Sequence, residues 1–171
     1  KCEDAMKEGK LQIYCGSGKG KTTAAIGQAI REASRGRSVF VVQFLKGRHP
    51  EEISFIQRLE PEIKMFRFQK REDSFEDLTP QEREEEIPNL RNGLNFAKKV
   101  LATGECDVLI LDEVLGLVEQ GIATAEEIHV LLENAEDTEL IFTGIKLCPE
   151  MMEWADNVYQ ITALKETDSA C

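Results

Sequence analysis

Long hydrophobic runs are missing from this sequence, and so is any excess of basic charge. No apolar stretch approaches the roughly 20 residues that a membrane-spanning helix needs. Nor does a basic segment followed by an apolar one open the chain, so neither a membrane protein nor a secreted one is expected. Acidic residues number 32 against 21 basic ones, a formal net charge of −11. That balance argues against nucleic acid as the main partner, because a phosphate backbone calls for a basic face. Nucleotides stay allowed, since they need only a local positive pocket. Histidine is scarce: His49 and His129 are isolated from other metal-ligating residues and read as ordinary side chains. No C-x-x-C pair occurs among the five cysteines, Cys2, Cys15, Cys106, Cys148 and Cys171. An odd, scattered set reads as reduced thiols in a cytoplasmic protein. No repeat, low-complexity tract or linker divides the 171 residues, so one domain with a sizeable core is expected. The sequence opens at Lys1 rather than Met and is expected to be part of a longer translated product.

Against that background one stretch stands out, Cys15-Gly16-Ser17-Gly18-Lys19-Gly20-Lys21-Thr22-Thr23. It follows a short apolar run, Leu11 to Cys15, and opens a helical pattern over Ala24 to Ala33. Strand, Gly-rich turn and helix together form the setting of a phosphate-binding loop. Glycines let backbone N–H groups converge on a hollow, and the helix start adds partial positive charge. In that motif Lys21 reaches phosphate oxygens and the Thr22 hydroxyl sits on Mg²⁺. The pattern G-x-x-x-x-G-K-[ST] is missed by one position, because its first glycine would fall on Cys15. The loop is therefore effectively one residue shorter than the common form. The predicted nucleotide-binding residues are Gly16, Ser17, Gly18, Lys19, Gly20, Lys21, Thr22 and Thr23.

The rest of the chain alternates strand and helix patterns. Residues 1–9 read as a flexible lead-in, 10–162 as a single P-loop nucleotide-binding domain and 163–171 as a polar tail. After the loop, Ile26, Ala29, Ile30 and Ala33 share a helix face, and Gly36 ends the helix. Val39–Leu45 is nearly all apolar, as suits a parallel strand buried on both faces. A short helix is predicted over Glu51–Leu59. Ile63–Phe68 alternates and reads as a strand nearer the sheet edge. Thr79-Pro80-Gln81-Glu82 carries the signals of a helix start. That helix is predicted to reach about Ala102 but to be interrupted by Pro88, with a kink near Ile87. The acidic run Glu82–Glu86 reads as a solvated face. Val108-Leu109-Ile110-Leu111 leads into Asp112-Glu113, a buried strand presenting carboxylates at its C-terminal edge. In nucleotide-binding α/β folds that edge lies beside the phosphate loop, where a carboxylate holds Mg²⁺ directly or through water. Thr124–Glu127 is a second helix start, Glu139–Thr143 a fifth strand, Pro149–Ala155 a short helix bearing the core residue Trp154, and Asn157–Thr162 a final strand. The alternation predicts an α/β fold, a mostly parallel sheet of about six strands with helices on both faces. Phe75 stands alone in a charged loop and reads either as a cover for a planar ligand or as a loop anchor.

The segments Gly16–Ala25, Val42–Gly47, Leu111-Asp112-Glu113 and Thr143-Gly144 resemble the ATP:corrinoid adenosyltransferases of the CobA type, over about Gly9 to Val158. The resemblance implies a RecA-like P-loop fold and a homodimer. It also implies transfer of the 5′-deoxyadenosyl group of ATP to the Co(I) of a reduced corrinoid, with release of triphosphate. By the same resemblance Thr22 and Glu113 lie near the metal with Asp112 behind it, and Gln43 and Lys46 lie near the nucleotide or corrinoid. Phe75 faces the corrinoid, and a flavoprotein reductant is allowed as a partner. Three departures are visible. Phe75 lacks the aromatic partner of a Phe-x-Trp pair, Ile145 follows Thr143-Gly144 where the family has Arg, and the family's C-terminal Lys-His segment is missing. The alternative reading is a diverged ATP- and corrinoid-binding relative without turnover, a sensor or carrier. An ordinary P-loop ATPase or kinase fits the shortened loop and the Val42–Gly47 segment less well.

Overall fold

The computed structural model describes residues 11–47 and 55–167. Its strands are β1 (Leu11–Cys15), β2 (Val39–Gln43), β3 (Ile63–Arg67), β4 (Val108–Asp112), β5 (Glu139–Thr143) and β6 (Asn157–Gln160). The helices are α1 (Lys21–Ala33), α2 (Pro80–Thr103), α3 (Val114–Glu119), α4 (Ala125–Glu133) and α5 (Pro149–Trp154), with a short 3₁₀ turn at Phe75–Asp77. All strand pairs are parallel, in one six-stranded sheet of order β3-β2-β4-β5-β1-β6. The most apolar strands, β2 and β4, are buried at every position and sit centrally, because both of their faces need cover. The alternating strand β3 lies at an edge, as its pattern predicts.

Successive strand residues point to opposite faces, and each face has its own core. Phe40, Val42, Leu109 and Leu111 pack toward α2 to α5. Val39, Val41, Val108 and Ile110 pack toward α1, Ile56 and Leu59. Helices thus cover both faces. The predicted helix Glu51–Leu59 begins outside the described residues; 55–57 are helical. The lead-in 1–9 and His49 also lie outside them.

Three local expectations are corrected. In α1 the buried residues are Lys21, Ala25, Ala29 and Glu32, not the stripe containing Ile26 and Ile30. The sheet beneath already presents Val41, Ile110 and Ile141, and alanine lets the helix axis approach it closely. Ile30 is left 50% exposed. Buried Glu32 is matched by Arg35 and Arg37 at 3.1 and 2.6 Å. Second, α2 runs unbroken through Pro88. The carbonyl left without a donor belongs to Glu84, which is exposed, so water can satisfy it. Third, the Glu82–Glu86 run is not wholly solvated. Glu86 is 2% exposed and accepts the backbone N–H groups of Lys70 and Arg71, both at 3.1 Å, and the Asn89 amide at 3.0 Å. It therefore pins the loop after β3 to α2. Both predicted helix starts are reciprocal caps, Thr79 with Glu82 and Thr124 with Glu127. Trp154 is half-buried against the core, its ring centroid 4.4 Å from that of His129.

Candidate functional site

The carboxyl ends of β1, β2, β4 and β5 meet at one edge of the sheet, and the Gly-rich loop rises from β1. Gly16 and Gly20 have φ of 111° and 107°, a region that glycine enters without a Cβ penalty. The Gly16 and Gly18 amides donate to the carbonyls of Ile145 and Ile161 at 3.0 and 2.9 Å, which lashes the loop to its neighbours. Those two amides are thus engaged, while the α1 N-terminus still offers N–H groups to an anion. That terminus has no side-chain cap and no acidic residue in its first turn, so its N–H groups and helix dipole favour negative charge. Lys21 is 8% exposed and its Nζ donates to the Gly18 carbonyl at 2.8 Å. Thr22 and Thr23 follow on the first turn, and Ser17 and Lys19 are exposed. Lys19 pairs with Glu166 at 3.2 Å. Burial pushes the Cys15 thiol above its usual range, although the Lys21 charge pulls it down.

Asp112 is the centre of the polar network. It is 1% exposed and accepts four donors. The Thr22 and Thr143 hydroxyls lie 2.9 and 2.7 Å from Oδ1. Gln43 Nε2 and Lys46 Nζ each lie 2.9 Å from Oδ2. Lys46 Nζ also donates to the Thr22 hydroxyl. Burial works to raise the Asp112 pKa, but the Lys46 ammonium and the Gln43 and Thr143 donors outweigh it and hold the carboxyl below its ordinary value. Glu113 behaves oppositely. Burial raises its pKa and the neighbouring Asp112 charge adds to that, against the pull of Lys46 and Lys21.

Asp112, not Glu113, touches Thr22. Glu113 takes a left-handed conformation, φ 63°, at the start of α3, and its N–H donates to Thr143 Oγ1 at 2.8 Å. That kink carries its side chain toward a 190 Å³ cavity shared with Lys46, Phe75, Glu76 and Glu119. Phe75 is 3% exposed, with Arg83 stacked 5.6 Å from its ring centre, so here it anchors its loop rather than offering an open face. Gln43 and Lys46 do reach the site, both through Asp112.

Two participants were not assigned roles from the sequence. Thr143 links Asp112 to the Glu113 backbone, and Arg67 donates to Gln43 Oε1 and, at 2.6 Å, to the Gly47 carbonyl. Register would have pointed to Arg67, because Gln43 faces it on one side and Asp112 on the other. Lys146, the residue after Ile145, is paired with Glu119 at 2.9 Å. A second cavity of 570 Å³ opens beside Thr22, Thr23, Gln43 and Arg67, and its lining also includes the apolar side chains of Ile26, Ile30 and Met65.

Fold and site together define a RecA-like P-loop domain, with β5 inserted between the loop strand β1 and the acidic strand β4. The chain is similar in structure to the flagellar accessory protein FlaH from Methanocaldococcus jannaschii, at TM-score 0.55 and 15% identity over 88% of this chain and 69% of that one. It is likewise similar to a KaiC-like protein from Pyrococcus horikoshii, at TM-score 0.54 and 17% identity over 91% and 74%. The chain belongs to the family ATP:corrinoid adenosyltransferase BtuR/CobO/CobP, matched over residues 7–169. It is 32% identical to the corrinoid adenosyltransferase of Escherichia coli K12 over 165 residues, 96% of this chain and 82% of that protein. It is 30% identical over the same shares to corrinoid adenosyltransferase CobA of Salmonella typhimurium.

Proposed function

We propose that this chain transfers the 5′-deoxyadenosyl group of ATP to the cobalt of a reduced corrinoid and releases triphosphate. The observation that carries the reading is the family match across residues 7–169. The corrinoid Co(I) supplies an electron pair to C5′ of the ribose, a Co–C bond forms, and the C5′–O bond breaks with its pair going to the triphosphate. Cobalt ends formally as Co(III). No proton moves, so no general base is required. The demand on the protein is electrostatic, namely to stabilise charge developing along a polyanionic leaving group. The uncapped α1 terminus, Lys21 and Lys19 bring positive potential to the loop, and the charge of the buried Lys21 is the one least screened by solvent.

Mg²⁺ is the companion ion in this reading, and the donor set suits it. The Thr22 hydroxyl and the Asp112 carboxylate are hard oxygens in contact at 2.9 Å, and a cation, the Lys46 ammonium, already rests on both. Among the described residues no three His, Cys, Asp or Glu side chains gather as a metal site. An ion of this kind takes one or two protein oxygens and completes its shell with phosphate and water. When bound it would neutralise part of the leaving-group charge, and Glu113, one residue on, is the reserve carboxylate. Gln43 orients Asp112, and the loop around Phe75 borders the corrinoid side. Homodimer formation, a flavoprotein reductant and a cytoplasmic setting complete the proposal. The free thiols of Cys15, Cys106 and Cys148 are in keeping with a reducing compartment.

The test supplies ATP, Mg²⁺ and chemically reduced cobalamin and follows the corrinoid spectrum with the phosphate products. Adenosylcobalamin with triphosphate is the expected result. ADP with orthophosphate, or binding without product, would overturn it.

A further inference from the structure

Lys46 follows β2 and places its ammonium between the Thr22 hydroxyl and the Asp112 carboxylate. These are the two oxygens that the proposed reading gives to a divalent cation. An ammonium and a metal ion cannot share one buried carboxylate without strong like-charge repulsion. The backbone beside Lys46 is also unusual. Leu45 sits at φ 61°, a conformation unfavourable for a branched side chain, and its carbonyl is held by the Phe75 N–H at 3.0 Å. Lys46 also borders the 190 Å³ cavity, lined by Glu76 and Glu113 and by Glu119, the last already paired with Lys146. A displaced ammonium thus has an acidic place to go without leaving the site.

We propose that Lys46 is a built-in competitor for the divalent cation: its ammonium occupies the Thr22–Asp112 position until metal and triphosphate arrive together, then turns toward Glu113. The proposal rests on the reading of the site as one for metal-bound ATP. Lys46 is a positioning residue in this scheme. It keeps metal alone from binding tightly and so couples metal binding to nucleotide binding. The phosphate charge delivered with ATP supplies what the carboxylate by itself does not, namely enough negative potential to hold both cations nearby.

The test titrates Mn²⁺ into the full chain without nucleotide, read by electron paramagnetic resonance, for the native protein, Lys46→Met and Lys46→Arg. Lys46→Met is expected to bind Mn²⁺ about tenfold or more tightly than the native chain, the scale of one lost charge-assisted contact. Lys46→Arg, which keeps the charge, is expected to stay near the native value. With ATP present the advantage of Lys46→Met should shrink, a change that a merely structural lysine would not produce. Equal or weaker Mn²⁺ binding by Lys46→Met overturns the proposal. If that variant lacks native circular dichroism, Lys46→Gln replaces it under the same criterion. Reductive methylation of the native chain gives a readout without mutation. Modification of Lys46, scored by peptide mass, should rise when Mg²⁺ and ATP are both saturating, and an unchanged yield counts against displacement. The two readings separate cleanly. A tighter Lys46→Met site in a protein that fails to adenosylate leaves this proposal standing and removes the enzymatic one; unaltered Mn²⁺ affinity in an active protein does the reverse.

Discussion

Replacing Asp112 by Asn should destabilise the folded chain by about 2–4 kcal/mol, a range framed by one orphaned buried donor and a broken buried ion pair. The two side chains have the same shape, so packing contributes little, and the loss comes from donors left without an acceptor. The amide oxygen can take over from Oδ1, where it still accepts the Thr22 and Thr143 hydroxyls. The NH₂ group then stands where Oδ2 met Gln43 Nε2 and Lys46 Nζ, and donor faces donor. Flipping the Gln43 amide passes the problem to Arg67, which needs Gln43 Oε1. Lys46 escapes more easily, since its side chain is 30% exposed and can turn to water, which places the loss below the top of the range. At a urea slope of about 2 kcal/mol/M the unfolding midpoint should fall by about 1–2 M. The pH dependence has a definite sign. Asp112 has a depressed folded-state pKa, so its contribution is full above the ordinary carboxylate value near ~4 and is lost as pH falls through the folded value. The gap between native protein and Asp112→Asn should therefore close in acid. Glu113, whose pKa is raised, works the other way and is best cancelled by comparing the two proteins at each pH. A midpoint shift under about 0.3 M, or a gap that widens in acid, would refute the assignment of Asp112 as the ionised hub.

Four other outcomes follow from the same geometry. Lys21→Ala should abolish ATP binding by calorimetry while native circular dichroism persists; retained binding would remove the lysine from the phosphate site. A methyl at Gly18 would lie 2.8 Å from the Ile161 carbonyl oxygen, so Gly18→Ala should destabilise by about 1–3 kcal/mol through forced displacement of that strand end. Gly20→Ala meets open space but keeps a φ of 107° and should lose about 1–2 kcal/mol to backbone strain alone; thermal melts that reverse this order would contradict the loop packing. Glu86→Ala should lose about 2–3 kcal/mol by leaving two backbone N–H groups without their acceptor, whereas Glu84→Ala should stay within about 0.5 kcal/mol in urea titrations. Burial pushes the Cys106 thiol up to about 12, so iodoacetamide at pH 8 should leave it unmodified in the native protein and label it in urea, as read by peptide mass.

What could be read from the sequence was whatever depends on neighbours along the chain. Both helix caps, the central placement of the all-apolar strands and the glycine positions of the loop rest on local steric and hydrogen-bonding rules, and the fold respects them. The α1 face was misread because periodicity marks which side chains are apolar, not how closely a helix axis must approach its sheet. Alanines gave that close approach and the isoleucines were turned out to line a cavity. Glu86 was misread for a related reason. A run of acids looks solvated until a loop distant in sequence brings two amides to one member of it.

The contacts on Asp112 show why the remainder was hidden. Its four donors come from α1, β2, the loop after β2, and β5, and only strand order brings them together. Because β5 lies between β1 and β4, the Thr143 hydroxyl stands at the sheet edge between the phosphate loop and the acidic strand. There it accepts the Glu113 N–H and donates to Asp112. The αL kink at Glu113 turns its side chain away, and the carboxylate one position earlier is left facing Thr22. An Asp-Glu pair after an apolar strand announces an acidic edge, but which member meets the loop is decided by the threonine on the intervening strand. Thr143→Val, nearly isosteric and without the hydroxyl, should therefore do more than remove two hydrogen bonds. By freeing the Glu113 amide it should loosen the turn that keeps the two carboxylates apart, and raise amide exchange at Glu113 before it affects the loop itself.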